Sequence, residues 1–197
     1  MGFWSSIMGR SQPAAPRLDS LFAVPSAALT LEAGLGLVPT GLGSVCYRAA
    51  SGAGFAQTQQ EAVALLGAAP DAPDVEVTLD DFGFTWLTVS HDPSDTAGLC
   101  TDLHAVNSTL GDAGFGPGLL CSLVVFADVT GRRVGLVYLY KQGTFYPFAP
   151  QPTTGSARQA QVRDTLMEIQ VRDAVEHDLP LEQERSRWLA VWGAPGL

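Results

Sequence analysis

With 197 residues, 46% of them hydrophobic and 16% charged, the chain has room for one domain with a sizeable core and lacks the composition of a disordered protein. A net charge of −9 repels phosphate backbones, and the eleven Lys and Arg form no dense patch, so nucleic acid is not an expected partner. Cys46, Cys100 and Cys121 are odd in number and contain no C-x-x-C, which excludes a disulfide framework or a cysteine zinc site and reads as three buried reduced thiols.

The first stretch, "MGFWSSIMGR", has too short an apolar run for a secretory signal, and no basic segment precedes it. It matches M-G-x-x-x-S formally through Gly2 and Ser6. Phe3, Trp4, Ile7 and Met8 gather on one side of a brief amphipathic segment. That side suits either peripheral contact with a membrane or docking on the body of the protein. "SQPAAPR" follows as a linker, so residues 1–17 are read as a flexible or amphipathic lead and residues 18–197 as a single domain. No run of eighteen apolar residues exists, so no membrane span is expected.

"LDSLFAVPSAALTLEAGLG" reads as helical, with Leu18, Leu21 and Phe22 spaced for one face and Pro25 marking a restart. "GSVCYRAA" is a candidate strand. "GFAQTQQEAVALLGAA" returns to a helical period through Phe55, Gln59, Ala62, Val63 and Leu66. In "DVEVTLDDFGFTWLTVSHD", Val75, Val77 and Leu79 alternate with Glu76, Thr78 and Asp80, and a turn over residues 80–83 makes a hairpin. "SDTAGLCTDLHAVNSTLGDAG" carries the clearest helical stripe, Leu99, Leu103, Val106 and Leu110, with Ser94 or Asp95 as its cap and Gly111 and Gly114 as its end.

A second hairpin spans "GLLCSLVVFADVTGRRVGLVYLYKQGTFYPF" and turns over residues 128–132. Residues 121–128 are too apolar for a half-wet strand, so both faces are expected to be covered. Val134, Leu136, Tyr138 and Tyr140 share one face of the return strand. The rigid "TFYPFAPQP" reads as the exit from that strand into a loop. A final helix is expected over "ARQAQVRDTLMEIQVRDAVEHDL", with Val162, Leu166 and Ile169 aligned; Trp188 and Trp192 stand four apart as on a helical face, although Gly193 and Pro195 limit any helix there. Because strands come in hairpins, the order favours an α+β domain: an antiparallel sheet with helices packed on one side.

No chemistry-bearing motif stands out. The histidines His91, His104 and His177 form no H-x-x-x-H pair, and G-x-S-x-G is absent. "DFG" at residues 81–83 lacks a catalytic H-R-D and fits a turn. "GLGLVPTGLG" lacks G-K-[ST], and the carboxylates from Asp71 to Asp81 fit a wet strand face. No catalytic residue, metal or cofactor is therefore expected. An enzyme would need a pocket joining His91 or His104 to acidic groups. Tyr140, Phe145, Tyr146 and Phe148, with Trp188 and Trp192, are the candidate partner-binding residues, because exposed aromatic patches mark binding sites. The competing reading packs the same rings over the sheet end as a plug.

"LHAVNSTLGDAGFGPGLLCSLVVFAD", "GLVYLYKQGTFYPFAP", the terminal "WGAPGL" and "LFAVPSAALTLEAGLGLVPTGLGSVCYRAA" together resemble PspAB, the PspA-associated protein family of actinobacteria. The resemblance covers nearly the whole chain from about Leu18. It implies a non-enzymatic adaptor or regulator of the phage-shock envelope-stress response. Its partner would be PspA, a coiled-coil, membrane-remodelling protein. The implied location is cytoplasmic, with peripheral contact at the inner face of the membrane through Phe3, Trp4 and Ile7. The element order from Val75 onward is also similar to YbjN-like and type III secretion chaperone-like domains, which implies the alternative of a homodimeric module that binds a peptide or amphipathic helix on its sheet.

Overall fold

The structure, a computed structural model, describes residues 17–68, 72–151 and 161–197. Phe3, Trp4 and Ile7 thus lie outside the described residues. A six-stranded, fully antiparallel open sheet runs in the order β2-β3-β1-β4-β5-β6. Its strands are β1 (Val38–Tyr47), β2 (Asp74–Leu79), β3 (Thr85–Ser90), β4 (Leu119–Ala127), β5 (Arg133–Leu139) and β6 (Thr144–Phe148). The helices are α1 (Val24–Leu35), α2 (Ala53–Leu66), α3 (Thr96–Leu110) and α4 (Thr165–Ala174). The fold is α+β, as the hairpin order requires.

Leu18–Leu35 is helical throughout, a 3-10 turn giving way to α1 with Pro25 in its first turn. This segment is long and apolar enough to cross a membrane by length and composition. Here Leu21, Val24, Ala27 and Leu31 form a stripe buried in the core, which is what a core helix needs. Asp95 caps α3 by accepting from the Gly98 N–H at 2.9 Å, and Leu99, Leu103, Val106 and Leu110 are all buried. These stripes, with Phe55 and Leu66 of α2, meet Val45, Leu87, Val124, Leu136 and Tyr138 on one sheet face.

Two of the three hairpin turns, β2–β3 and β4–β5, are built by a carboxylate. Asp80 accepts from the Phe82 and Phe84 N–H groups, each at 2.9 Å. Asp128 accepts from the Thr130 and Arg132 N–H groups and from the Arg132 guanidinium at 2.7 Å. These bonds hold the Asp128 carboxyl well below the ordinary carboxylate range, the Thr130 hydroxyl being the largest contributor.

Four expectations need correction. First, β1 starts five residues before Gly43, because Gly41, at φ 78°, forms a bulge whose carbonyl accepts from the His91 N–H at 2.8 Å. A Cβ at Gly41 would stand 2.2 Å from the His91 carbonyl oxygen, so only glycine fits. Second, Thr144–Phe148 is a strand and not a loop. β6 pairs with β5, and residues 180–182 bond to Phe145 on its outer side, N–H of Phe145 to Pro180 and N–H of Glu182 to Phe145. Pro147 is tolerated near this margin, where fewer ladder donors are needed.

Third, α4 begins only at Thr165, capped by Asp164 accepting from the Met167 N–H at 3.0 Å. Its buried stripe is Met167 and Val171, continued by Val175. Leu166 is 67% exposed, and Val162 flanks a short antiparallel bridge between Pro150 and Arg163, its carbonyl accepting from the Gln151 N–H at 2.9 Å. Fourth, Trp188 and Trp192 share no helix: the tail holds only a 3-10 turn at Arg185–Arg187. The apolar side of β2 is also partly uncovered. Val77 is 40% and Leu79 72% exposed, because β2 is the outermost strand and the helical layer does not reach it.

The phase of α4 is open to a direct check. Met167→Ala should cost ~2–5 kcal/mol, while Leu166→Ala should stay within ~0.5 kcal/mol, as read from urea denaturation. Equal costs would place the helix in the phase of the alternative stripe.

Candidate functional site

The sheet has a second face. Strand alternation sends Trp86, Cys46, Cys121 and Leu139 away from the helices, and they stand opposite one another in register across β3, β1, β4 and β5. This single row is the floor of a groove of about 1110 Å³. Phe82 and Phe84 of the β2–β3 turn wall one side; Leu189, Val191 and Trp192 of the tail wall the other. Ligand clefts commonly fall between roughly 300 and 1000 Å³, so the groove is large for a small molecule.

The tail makes the groove by covering only part of this face. Trp188 stacks on Tyr146, centroids 5.9 Å apart, and Trp192 meets Phe148 edge-on at 4.9 Å. Tyr146 and Phe148 are two residues apart on β6 and so point the same way. The two indoles come together because they follow that spacing, and no helix is needed. Tyr146 donates its hydroxyl to the Leu189 carbonyl at 2.8 Å, and the Trp188 indole N–H donates to the Glu182 carbonyl at 3.0 Å. Burial raises the Tyr146 phenol above its ordinary range, so it stays a neutral donor.

A buried ion pair locks the arrangement. Glu168 of α4 accepts from the Ala149 N–H at 3.0 Å and from Arg163 Nε at 2.7 Å. Arg163 then donates to the Trp188 carbonyl at 2.6 Å and lies over the Phe148 ring at 5.1 Å. The C-terminal end continues across the sheet: Arg133 holds the Gly196 carbonyl at 2.6 Å, and Ala194 and Leu197 pack with Leu123 and Val125.

Of the aromatic candidates, Phe145 and Phe148 are fully buried and Tyr140 nearly so, and Phe145 lies against Tyr138 at 5.1 Å in the helix-side core. They act as the plug. Tyr146 and Trp192 line the groove, whereas Trp188 braces it from behind. Cys46, Trp86, Cys121 and Leu139 were not among the sequence candidates. Their alternation was legible, but the row they form depends on cross-strand register.

Cys46 and Cys121 are buried, and the contact between their thiols, with burial, raises Cys46 far above the ordinary thiol range, so it carries no thiolate. The Trp86 indole N–H donates to Asp80 at 3.0 Å, so the floor offers no free donor there. Elsewhere, His91 sits between Asp95, at 3.2 Å, and Asp102, at 2.7 Å, which answers the condition for an acid–imidazole cluster. This bracket ties the end of β3 to α3, and His91 does not line the groove. His104 stacks on Phe22 at 4.9 Å and stands 3.5 Å from the exposed Asp19 carboxylate, also outside the groove. Among the described residues, no group of three His, Cys, Asp or Glu is placed to hold a metal ion.

The architecture is thus an α+β protein whose sheet is roofed by helices on one face and bears an apolar groove on the other. The chain belongs to the PspAB family, PspA associated protein B, whose model matches residues 1–196. No curated protein and no solved structure matches it.

Two measurements test the site's construction. Glu168→Ala leaves Arg163 without its carboxylate and should cost ~3–5 kcal/mol. It should also speed proteolysis at residues 185–192, and unchanged cleavage would mean the ion pair does not hold the tail. The second concerns Asp80. Burial works to raise its carboxyl, but the Trp86 indole and the backbone N–H groups of its turn together lower it. A depressed folded value means stability fully present above the unfolded value of about 3.9 and lost as pH falls through the folded one. Asp80→Asn should flatten that acid-side loss, followed by Trp fluorescence between pH 5 and about 2.

Proposed function

We propose that this protein is a non-enzymatic adaptor or regulator that associates with a PspA-type coiled-coil protein in the envelope-stress response, using the groove as its contact surface. The observation that carries this reading is an open apolar groove on the helix-free sheet face of a chain that belongs to the PspA associated protein B family. Apolar clefts of this size exclude water well only when a partner fills them, and the occupant proposed is the apolar face of an amphipathic helix. A helix on this face adds a third layer to the sheet and keeps its own backbone bonds, which suits a floor that offers none. The non-enzymatic reading is supported by the protonated Cys46 thiol, the saturated Asp80 carboxylate and the bracketing role of His91.

In this reading the protein works in the cytoplasm, peripherally at the inner face of the membrane, where Phe3, Trp4 and Ile7 would touch lipid. The same groove supports a second reading, a chaperone-like module holding a peptide or helix on its sheet. The homodimer that goes with it would form along β2, the outermost strand opposite the covered β6 edge.

Phe82 is 65% and Leu189 63% exposed, so glutamate at both positions changes the groove walls without opening the core. Phe82→Glu/Leu189→Glu should weaken binding to purified PspA at least tenfold, about 1.4 kcal/mol, in a titration. Leu29→Glu, on exposed α1 surface, should leave it unchanged. Loss through Leu29 with the groove variant intact would move the contact to the helical layer and overturn the assignment.

A further inference from the structure

The groove's charge is opposite to the chain's. The protein carries −9 overall, yet Arg48, Lys141 and Arg187 line the groove against the single carboxylate of Asp80. Asp80 is already engaged by three N–H donors at its own turn. Arg187 is paired with Glu182 at 3.3 Å. Arg48 and Lys141 differ, because both are exposed and neither forms an ion pair among the described residues.

The same short turn places both of them. The Arg48 N–H donates to the Gly118 carbonyl at 2.9 Å, and the Lys141 ammonium donates to the Pro117 carbonyl at 3.0 Å. The Arg48 bond is a backbone one and fixes where that chain leaves β1; the Arg48 guanidinium lies over the Phe84 ring at 5.4 Å, so Arg48 and Lys141 both stand on the groove rim beside the Pro117–Gly118 turn. A Cβ at Gly118 would lie 2.8 Å from the Arg48 carbonyl oxygen, so the close approach needs glycine. From that end the floor runs past Cys121, Cys46 and Trp86, and the polar atoms of Trp86 and Tyr146 already have partners.

We infer that the groove binds an amphiphile with an anionic head and an acyl chain: the head meets Arg48 and Lys141, and the chain lies along the Cys121–Cys46–Trp86 floor. Two cations on the rim of an apolar channel select this chemistry, since the cations give no return on a neutral head and the floor none on a polar tail. A phospholipid and a free fatty acid share this head-and-chain pattern. The inference goes beyond the adaptor reading and does not rest on it. Where both hold, the acyl chain and the partner's helix compete for one groove.

The test uses the full chain and displacement of a dansyl-labelled undecanoate. Hexadecanoate should displace the probe saturably at about one per chain, and hexadecanol at least tenfold more weakly. Arg48→Glu/Lys141→Glu alters two exposed side chains and should cut hexadecanoate affinity at least tenfold while leaving hexadecanol unchanged. Vesicles of phosphatidylglycerol against phosphatidylcholine then separate a membrane headgroup from a free acid as the source. Equal affinity for acid and alcohol, no saturable displacement, or full binding by the double variant would each overturn the inference. A protein that binds hexadecanoate but not PspA would sink the adaptor reading alone; one that binds PspA but not hexadecanoate would sink this inference alone.

Discussion

A twisted sheet has two faces, and strand alternation sends half of its side chains to each. In this protein α1, α2 and α3 line up on one face, where Leu99, Leu103 and Val106 meet Val45, Leu87 and Val124. Whatever alternates to the other face must find cover elsewhere or stay open. The tail from Trp188 to Leu197 supplies partial cover by following β6 and then crossing toward β1. It stops short of the row formed by Trp86, Cys46, Cys121 and Leu139, and the groove is the uncovered remainder.

That remainder persists because its margins are fixed from both sides. Asp80 gathers three N–H donors, one of them the Trp86 indole, and so ties the turn that walls the groove to the floor beneath it. On the opposite margin, the chain of bonds from Ala149 through Glu168 and Arg163 to Trp188 links α4 to the tail. Burying a charged pair there stabilises little by itself, but removing one partner leaves the other exposed to its full desolvation cost. The groove thus has rigid walls, which limits the ordering cost when something fills it.

Much of the helical layer was legible. The α3 stripe, the carboxylate turns and the double burial of β4 follow from periodicity and turn chemistry alone. The misread elements share a cause: tertiary pairing outweighed local pattern. Prolines around Phe145 and Phe148 suggested a loop, yet β5 and residues 180–182 hold that segment as a strand. The Val162–Leu166–Ile169 stripe looked helical, but the Asp164 cap starts α4 after Val162 and turns Met167 and Val171 inward. The spacing of Trp188 and Trp192 mimicked a helix because it matches partners on β6. The groove itself was not legible, since its floor joins residues from four strands through register, and single sequences encode register only indirectly.

The binding face proposed for this protein is the helix-free face of the sheet. Hydrogen–deuterium exchange of this protein, alone and with PspA, tests it most directly. The account predicts new protection at residues 80–84, 117–121 and 186–192, with α1 and α2 unchanged. Protection confined to α1 and α2, with the groove segments exchanging as in the free protein, would contradict it.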